Sequence, residues 1–358
     1  MIVGSLVSIL LLVFGFVAYA LWDGGMFPAN EASEDWFEVK GRPQVMVELP
    51  RDDAHHDNLM EWWYYNGHLE SEDGNQYSFH FTVFLVDTLS THTVTHVSFV
   101  DHQTGRHYAE QKRSAGNPSR GIQNGFDFNL GDWQMTGGGG EDRLRVLTKD
   151  FSFNLELTEG VPPVMQGGTG LLDFGLAGKS YYYSRPRMPI TGTLKVGDLV
   201  EKVSGVAWFD KQWGDFEILE LGWSWFAIQL DDGTDIMLYE LFDKGGLPVL
   251  RSGSSSRDGV TRVLTGDDFK ATVKDEWVSE KTGIKYPIEW VVEIPYGNFD
   301  LHVTPVIRES EFNGRVTAYV VYWEGPVKVA GSHAGRGFVE LSGFERLFKE
   351  DAGVGDLE

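Results

Sequence analysis

Short segments in which apolar and polar residues alternate follow one another along the chain, and they restrict its fold more than any other feature of the sequence. In the segment QYSFHFTVFLV, residues 76–86, every second side chain is apolar, so one face of an extended strand would be apolar. Turns containing Gly or Asp separate such segments, and long amphipathic helices are almost absent. We therefore predict an all-β fold of antiparallel strands.

The alternating segments form two series. The first series is 76–86, 95–100, 143–148, 151–157 and 192–196. The second series is 225–230, 235–242, 288–294, 299–306, 317–323 and 337–344. Each half also contains an aromatic cluster that runs to a leucine and an acidic Gly turn, EWWYYNGHLESEDG and GWSWFAIQLDDG. We predict two barrels or half-barrels, 51–200 and 201–346, with a short closing helix at 344–351.

The N-terminus is apolar enough to enter a membrane. Residues 1–22, MIVGSLVSILLLVFGFVAYALW, carry no charged side chain. A helix of this length, at ~1.5 Å per residue, just spans a hydrocarbon core of about 30 Å. Residues 18–20 are also typical of a signal-peptide cleavage site, although the usual preceding basic residues are missing. We expect a membrane anchor or a signal peptide, then a tether over 23–50, a body on the non-cytoplasmic side and an acidic tail at 347–358.

Charge and residue types exclude several classes of function. The formal net charge of −23 has no basic tract to offset it, so we expect no nucleic-acid partner. The chain has no cysteine, which excludes disulfides, thiolate zinc sites, iron–sulfur clusters and cysteine nucleophiles. His92 and His96 lie about 13 Å apart on an extended strand, too far for one metal ion. We expect neither a metal nor an organic cofactor.

Acidic residues stand among aromatic residues in this chain. Glu61 begins the run EWWYY, Asp210 lies inside AWFDKQW, and the run GWSWF follows at 222–226. Burial against apolar walls raises the pKa of a carboxyl group, so that it can carry a proton near neutral pH. Indole rings stabilise a neighbouring cation. Together these groups could protonate an alkene and hold the carbocation until water attacks.

A second interpretation of the same residues is purely structural. Strand tryptophans commonly fill barrel interiors, and Asp210 with Lys211 could form a surface ion pair worth less than about 1 kcal/mol. The residues alone leave both interpretations open.

Five motifs occur in order between about residues 50 and 346. They are EWWYYNGHL, SYYYSRPRMPITGTL, VSGVAWFDKQWGD, GWSWFAIQLDDGTDIMLYEL, and YWEGPVKVAG followed by GFVELSGF. In these motifs the chain resembles the AttH-type lipocalin-like family, which includes carotenoid 1,2-hydratases and proteins described as secreted hydrolases. The resemblance implies two lipocalin-like β-barrels with a hydrophobic ligand cavity, in agreement with the strand pattern.

The resemblance also implies roles for particular residues. The hydratases of this family add water across the terminal double bond of acyclic carotenoids with the help of an aspartic acid, which corresponds here to Asp210. Trp213 and Tyr239 match aromatic positions of the same site. Lys211 stands where the family pattern has His or Arg. A lysine beside Asp210 would lower the pKa of that acid, and we expect the two to form an ion pair that shapes the site.

We therefore predict an exported or membrane-anchored protein that binds a long apolar ligand of isoprenoid or carotenoid type. The predicted reaction is cofactor-free, acid-catalysed hydration of a C=C bond by a hydro-lyase. Asp210 is the predicted proton donor, Glu61 is an alternative, and Lys211 would orient the acid or the water. The predicted ligand-binding residues are Trp63, Tyr65, Trp208, Trp213, Trp223, Trp225 and Tyr239. A non-enzymatic carrier, or a secreted hydrolase using carboxylate-activated water, remain as alternatives.

Overall fold

The computed structural model of the chain describes residues 44–347. The predicted anchor at 1–22, the first part of the predicted tether and residues 348–358 lie outside the described residues. Between residues 44 and 347, no helix has both the length and the apolar character needed to cross a membrane.

Within residues 44–347, twelve antiparallel strands form a first sheet, which curls into a half-barrel. They are β1 (Met60–Ser71), β2 (Gln76–Asp87), β3 (Thr91–Asp101), β4 (Arg106–Ala115), β5 (Phe126–Asn129), β6 (Trp133–Gly137), β7 (Asp142–Leu147), β8 (Phe151–Leu157), β9 (Val164–Met165), β10 (Leu171–Asp173), β11 (Gly178–Val196) and β12 (Leu199–Phe216). Their hydrogen-bonded order is β4-β3-β2-β1-β12-β11-β8-β7-β6-β5, and β9 and β10 pair with β11. β1 and β12 therefore lie at the centre of the sheet.

Ten further strands of the described chain form the second sheet. They are β13 (Leu221–Leu230), β14 (Asp235–Asp243), β15 (Pro248–Arg257), β16 (Val260–Thr265), β17 (Lys270–Val278), β18 (Lys285–Ile294), β19 (Phe299–Pro305), β20 (Glu311–Asn313), β21 (Val321–Gly331) and β22 (Gly335–Ser342). The order is β16-β15-β14-β13-β22-β21-β19-β18-β17, and β20 pairs with β21. The predicted all-β fold of two half-barrels is thereby confirmed.

Helical structure is confined to short pieces in the described residues. The predicted closing helix is present as α1 (Phe344–Leu347). Single 3-10 turns lie at Arg51–Asp53, Gln166–Gly168, Gly175–Ala177, Ile218–Glu220 and Pro295–Gly297.

The chain passes from the first sheet to the second at the 3-10 turn Ile218–Glu220, and not near residue 200. The predicted boundary falls instead at the start of β12, whose 18 residues pair with β1 on one side and β11 on the other. Alternation in the sequence reveals a strand but not its partners. For this reason the run AWFDKQW, which was predicted to lie in the second half, belongs to the first sheet.

Within the described part of the chain, buried apolar side chains form three clusters. The first sheet encloses one cluster and the second sheet encloses another. The third cluster lies between the two sheets and draws side chains from both. This third cluster surrounds the candidate site.

The central strands are buried on both faces. On β1, Trp63 and Tyr65 belong to the core of the first sheet, whereas Tyr64 belongs to the cluster between the sheets. On β12, Phe209 belongs to the core of the first sheet and Trp208 to the cluster between the sheets. Because both faces are covered, these strands carry continuous aromatic runs in place of a strict alternation.

Candidate functional site

A cavity of about 280 Å³ lies between the two sheets. β1, β2, β3, β4, β11 and β12 supply one wall, and β13, β14, β21 and β22 supply the other. Leu219 and Tyr319 line the cavity and are also 51% and 75% exposed, so they mark its mouth. Most of the lining is aromatic or aliphatic. Among the described lining residues, three carry a carboxyl group: Asp210, Glu324 and Glu340.

Asp210 lies on β12 and is only 4% exposed. Its Oδ2 accepts a hydrogen bond from the Tyr182 hydroxyl at 2.7 Å. Its Oδ1 accepts hydrogen bonds from the Ser184 hydroxyl at 2.6 Å and from Trp208 Nε1 at 2.7 Å. Trp225 Nε1, from the second sheet, donates to the Tyr182 hydroxyl at 2.9 Å. These bonds hold the carboxyl group in one orientation at the cavity wall.

Burial raises the pKa of Asp210 to about 7, because the ionised carboxylate loses the solvation of water. The hydrogen bonds from Ser184, Tyr182 and Trp208 oppose this rise, since they stabilise the ionised form. The protonated and ionised forms of Asp210 therefore coexist near neutral pH. A group in this condition can either give or take a proton.

Glu324 on β21 and Glu340 on β22 are direct partners across the antiparallel ladder, so their side chains share a face. Burial raises the pKa of Glu340 to about 8; a hydrogen bond from Trp223 opposes the rise and the charge of Asp210 adds to it. Burial, together with the charge of Glu340, holds the pKa of Glu324 well above its usual range, against a hydrogen bond from Tyr64. We call these two residues the glutamate pair.

The glutamate pair is not among the site residues predicted from the sequence. Each residue stands inside an otherwise apolar strand segment, YWEGPV for Glu324 and FVELSG for Glu340. An acid at such a position is a usable signal, because a lone buried carboxylate is costly. The sequence does not show to which side of the strand such an acid points, because both faces of these strands are candidates for burial.

Lys211 lies on the opposite face of β12 from Asp210, because neighbouring strand residues point to opposite faces. Its ammonium group pairs with Glu61 and lies 3.8 Å from the ring centre of Trp63 and 4.8 Å from that of Trp213. Lys211 and Glu61 are both 0% exposed and are not among the cavity-lining residues. The expected ion pair between Asp210 and Lys211 is therefore not formed, because adjacent side chains of a strand point to opposite faces.

Glu61 and Lys211 form the centre of a closed ionic cluster. His55 Nδ1 and His56 Nδ1 lie 2.7 and 2.8 Å from the Glu61 carboxylate, and the His56 ring stacks on Trp213 with centroids 4.1 Å apart. Burial alone would raise the pKa of Glu61, but Lys211 and the histidines lower it to about 2. Burial lowers the pKa of Lys211 to about 8, with Glu61 opposing. We interpret this cluster as structural, because its contacts hold residues 55–56 against β1 and β12.

The predicted ligand-binding residues divide according to strand face. Those that line the cavity are Trp223, Trp225 and Tyr239. Those that pack in the core of the first sheet are Trp63, Tyr65 and Trp213. Trp208 belongs to the cluster between the sheets and holds Asp210 through its indole N–H.

The cavity thus presents one carboxyl group on the first sheet and a pair of them on the second, among aromatic rings. Such groups can give a proton to a bound molecule from one wall and take a proton from it at the other. Between residues 44 and 347, no three His, Asp or Glu side chains are placed so that they could hold a metal ion.

Sequence comparisons identify related proteins. The family model described as AttH-like matches residues 40–344. Kievitone hydratase of Fusarium solani subsp. phaseoli is 20% identical over 286 residues, which are 75% of this chain and 77% of that protein. Dehydratase asqC of Emericella nidulans is 23% identical over 164 residues, 43% of this chain. The match spans only 46% of the length of that dehydratase.

Solved structures of similar fold extend over nearly the whole described chain. A protein of Nitrosomonas europaea assigned as AttH has a TM-score of 0.77 and 29% identity, covering 84% of this chain and 98% of its own. Kievitone hydratase from Nectria haematococca has a TM-score of 0.71, covering 85% of this chain and 94% of its own. At 18% identity, this second likeness concerns the fold alone.

The raised pKa of Asp210 should make the folded protein less stable as the pH rises. The pKa is about 7 in the folded protein and about 4 in an unfolded chain. The folded state therefore binds the extra proton between these values, and its advantage is lost as the pH rises to about 7. The wild-type protein should lose roughly 3–4 kcal/mol of its free energy of unfolding between pH ~4 and ~8, and Asp210→Asn should not show this loss. Urea unfolding of both proteins at the two pH values measures these free energies. The same pH dependence in the variant and the wild type would contradict the prediction.

Lys211→Met should destabilise the protein by about 3–5 kcal/mol, because it leaves the Glu61 carboxylate buried without its partner. The double variant Glu61→Gln, Lys211→Met should recover much of that loss, since no unpaired charge remains. Urea unfolding at neutral pH measures both free energies of unfolding. A double variant no more stable than the single one would be inconsistent with an ion pair at this position.

Proposed function

Because the chain belongs to the AttH-like family, as its motifs predicted, we propose that it is an enzyme that adds water to, or removes water from, a hydrophobic substrate in the cavity between the sheets. Two of the proteins to which it is similar are named a hydratase and a dehydratase. The observation that carries this proposal is Asp210, a buried carboxyl group whose pKa lies near 7 on the wall of an aromatic cavity.

In the direction of hydration, the proton of Asp210 moves to one carbon of a C=C bond, whose π electrons form the new C–H bond. The other carbon becomes a carbocation. The oxygen of a water molecule adds to this cation, and Glu340 takes the proton that the water releases. The sum of these steps is the addition of one water molecule, and dehydration follows the same path in reverse.

The protonation states of the two walls suit both directions. The pKa of Asp210 is about 7 and that of Glu340 is about 8. With Asp210 ionised and Glu340 protonated, the site has the arrangement required for dehydration. With the proton on Asp210 and Glu340 ionised, it has the arrangement required for hydration. Because both pKa values lie near neutral pH, both arrangements are accessible.

Aromatic side chains supply the remaining requirements. Trp223, Trp225 and Tyr239 line the cavity, and each ring face could stabilise a carbocation by about 0.5–2 kcal/mol. Trp208 and Tyr182 position Asp210 through their hydrogen bonds. An apolar wall also limits access of water to the short-lived cation.

The substrate that we propose is an alkene of isoprenoid or carotenoid type, or the corresponding alcohol. The cavity, at about 280 Å³, is close to the lower end of the range of about 300–1,000 Å³ typical of small-molecule sites. It could therefore enclose one end of a long molecule while the rest leaves through the mouth beside Leu219 and Tyr319. This arrangement would bring a terminal double bond to Asp210.

Asp210→Asn should lower turnover at least about 100-fold while ligand binding persists, because the amide keeps the size of the side chain but carries no transferable proton. The assay incubates an acyclic carotenoid in detergent micelles with the protein in H₂¹⁸O, and mass spectrometry detects a product that has gained one labelled water.

Asp142→Asn is the matched control. Asp142 is also a buried aspartate whose pKa burial raises, to about 6, and it does not line the cavity. Its replacement should leave turnover near the wild-type rate. If the wild-type protein binds the carotenoid but neither hydrates it nor dehydrates the alcohol that hydration would give, the carrier alternative holds. Release of an acid from a supplied ester would favour the hydrolase alternative.

We also propose that residues 1–22 anchor the protein with its body on the non-cytoplasmic side of the membrane. The support is the absence of charged side chains from this segment. The full-length chain should sediment with membranes in cell fractionation, and a chain lacking residues 1–22 should not. Recovery of the full-length chain in the soluble cytoplasmic fraction would contradict the proposal.

A further inference from the structure

A row of polar side chains connects the glutamate pair to the mouth of the cavity. Glu324 Oε2 lies 3.1 Å from Nδ1 of His80, and Nε2 of His80 lies 3.4 Å from the hydroxyl of Tyr322. That hydroxyl is 3.0 Å from Nδ1 of His96. Nε2 of His96 is in turn 2.9 Å from the hydroxyl of Thr317. The row crosses between the sheets, since β2 and β3 supply its two histidines.

The outer end of the row lies where the cavity opens. Thr317 belongs to the segment that lines the mouth, two residues before the exposed Tyr319. The Thr317 hydroxyl donates a hydrogen bond of 2.7 Å to the amide oxygen of Gln111 on the edge strand β4. Glu324, at the inner end, is 2% exposed. Thr317, at the outer end, is 5% exposed, so the row joins an enclosed carboxyl group to a buried hydroxyl beside the exposed residues of the mouth.

One set of hydrogen positions lets every member of the row donate outward. A protonated Glu324 donates to Nδ1 of His80, and the Nε2–H of His80 donates to Tyr322. The Tyr322 hydroxyl donates to Nδ1 of His96, and the Nε2–H of His96 donates to Thr317. The bond from Thr317 to an amide oxygen favours this direction, because such an oxygen only accepts.

Both histidines of the row are in the neutral form that such a chain requires. His80 and His96 are 0% exposed. Burial, with smaller contributions from neighbouring histidines, holds the pKa of His80 well below its usual range, and burial lowers the pKa of His96 to about 3. A neutral imidazole has one donor nitrogen and one acceptor nitrogen, so it can receive a proton on one side and release one on the other. Nδ1 of His80 has a single lone pair and also lies 2.7 Å from the Ser98 hydroxyl, so in this arrangement the Ser98 hydrogen points away from it.

The proposed reaction creates a need for such a row. Each hydration moves one proton from Asp210 on one wall to Glu340 on the other, and each dehydration does the opposite. Glu340 is the ladder partner of Glu324. The protonation states must be reset before the next turnover, and the substrate or product then occupies the cavity between the walls.

We propose that Glu324, His80, Tyr322, His96 and Thr317 form a proton relay between the glutamate pair and solvent at the cavity mouth. This inference deepens the proposed function and rests on it for its biological purpose, but the relay itself can be tested without any substrate.

Each passage along the relay transfers one proton and leaves every member except Glu324 neutral. The O–H bond of Glu324 breaks as an N–H bond forms at Nδ1 of His80, whose Nε2 proton passes to Tyr322. The Tyr322 proton passes to Nδ1 of His96, whose Nε2 proton passes to Thr317. The Thr317 hydroxyl then turns away from the Gln111 amide oxygen and gives its proton to water at the mouth. Glu324 is left ionised, and a proton entering in the opposite direction restores it.

Hydrogen–deuterium exchange at the Glu324 carboxyl group tests the relay. Infrared spectroscopy detects the carbonyl stretch of a protonated carboxyl group, which shifts when deuterium replaces the proton, and loss of the band in Glu324→Gln assigns it. Tyr322→Phe and Thr317→Val each remove a hydroxyl while nearly preserving shape. After mixing with D₂O, both variants should exchange this band at least about tenfold more slowly than wild type.

Thr317→Ser is the matched control, because it keeps the hydroxyl, and it should exchange within about twofold of wild type. Exchange in Tyr322→Phe and Thr317→Val as fast as in wild type would overturn the relay. Absence of a protonated Glu324 band at neutral pH would also overturn it, because the row then lacks its inner donor.

The turnover assay separates failure of the relay from failure of the proposed function. If wild type turns over no substrate but the exchange of Glu324 depends on Tyr322 and Thr317, the proposed function fails and the relay stands. If wild type is active and the exchange is insensitive to both hydroxyls, the relay alone fails. If both hold, Tyr322→Phe should lower kcat more than KM, and added imidazole should restore part of kcat.

Discussion

Burial of the central strands on both faces is the constraint on which the rest of this structure depends. β1, β12 and β13 each give alternate side chains to a barrel core and to the space between the sheets. A shift of one residue in register would exchange every core side chain for a cavity side chain. The long antiparallel pairing of β12 with β1 and β11 prevents such a shift. Register therefore decides which side chains can meet a ligand.

The same alternation gives neighbouring charged residues opposite surroundings. Lys211 enters the core of the first sheet, where Glu61 neutralises it and two tryptophan rings cover it. Asp210, one residue earlier, enters the space between the sheets and meets hydroxyl and indole donors in place of a cation. Asp210, which is stabilised only by neutral donors, has a raised pKa, whereas Lys211 and the neighbouring histidines lower the pKa of the equally buried Glu61. The proposed proton transfer is therefore assigned to one face of β12 only.

The sequence allowed the all-β fold, its two halves and the family to be predicted, because strand alternation and five aromatic motifs are local features. It also singled out Asp210, Trp223, Trp225 and Tyr239, all of which line the cavity. It could not identify Glu324 and Glu340 as neighbours of Asp210, since they are more than a hundred residues distant in the chain. It placed Lys211 beside Asp210 because adjacency in a sequence was taken for adjacency in space.

The amino-acid sequence by itself determined which segments become strands and that acidic residues stand among aromatic ones along the chain, since both follow from residue type and spacing over a few positions. Only the tertiary structure decided which face of each strand turns toward the cavity, and that His80 and His96 of the first sheet meet Tyr322 and Glu324 of the second. The physical reason is that strand pairing and sheet stacking join residues distant in the chain, and local patterns carry no information about such partners when both faces of a strand are buried.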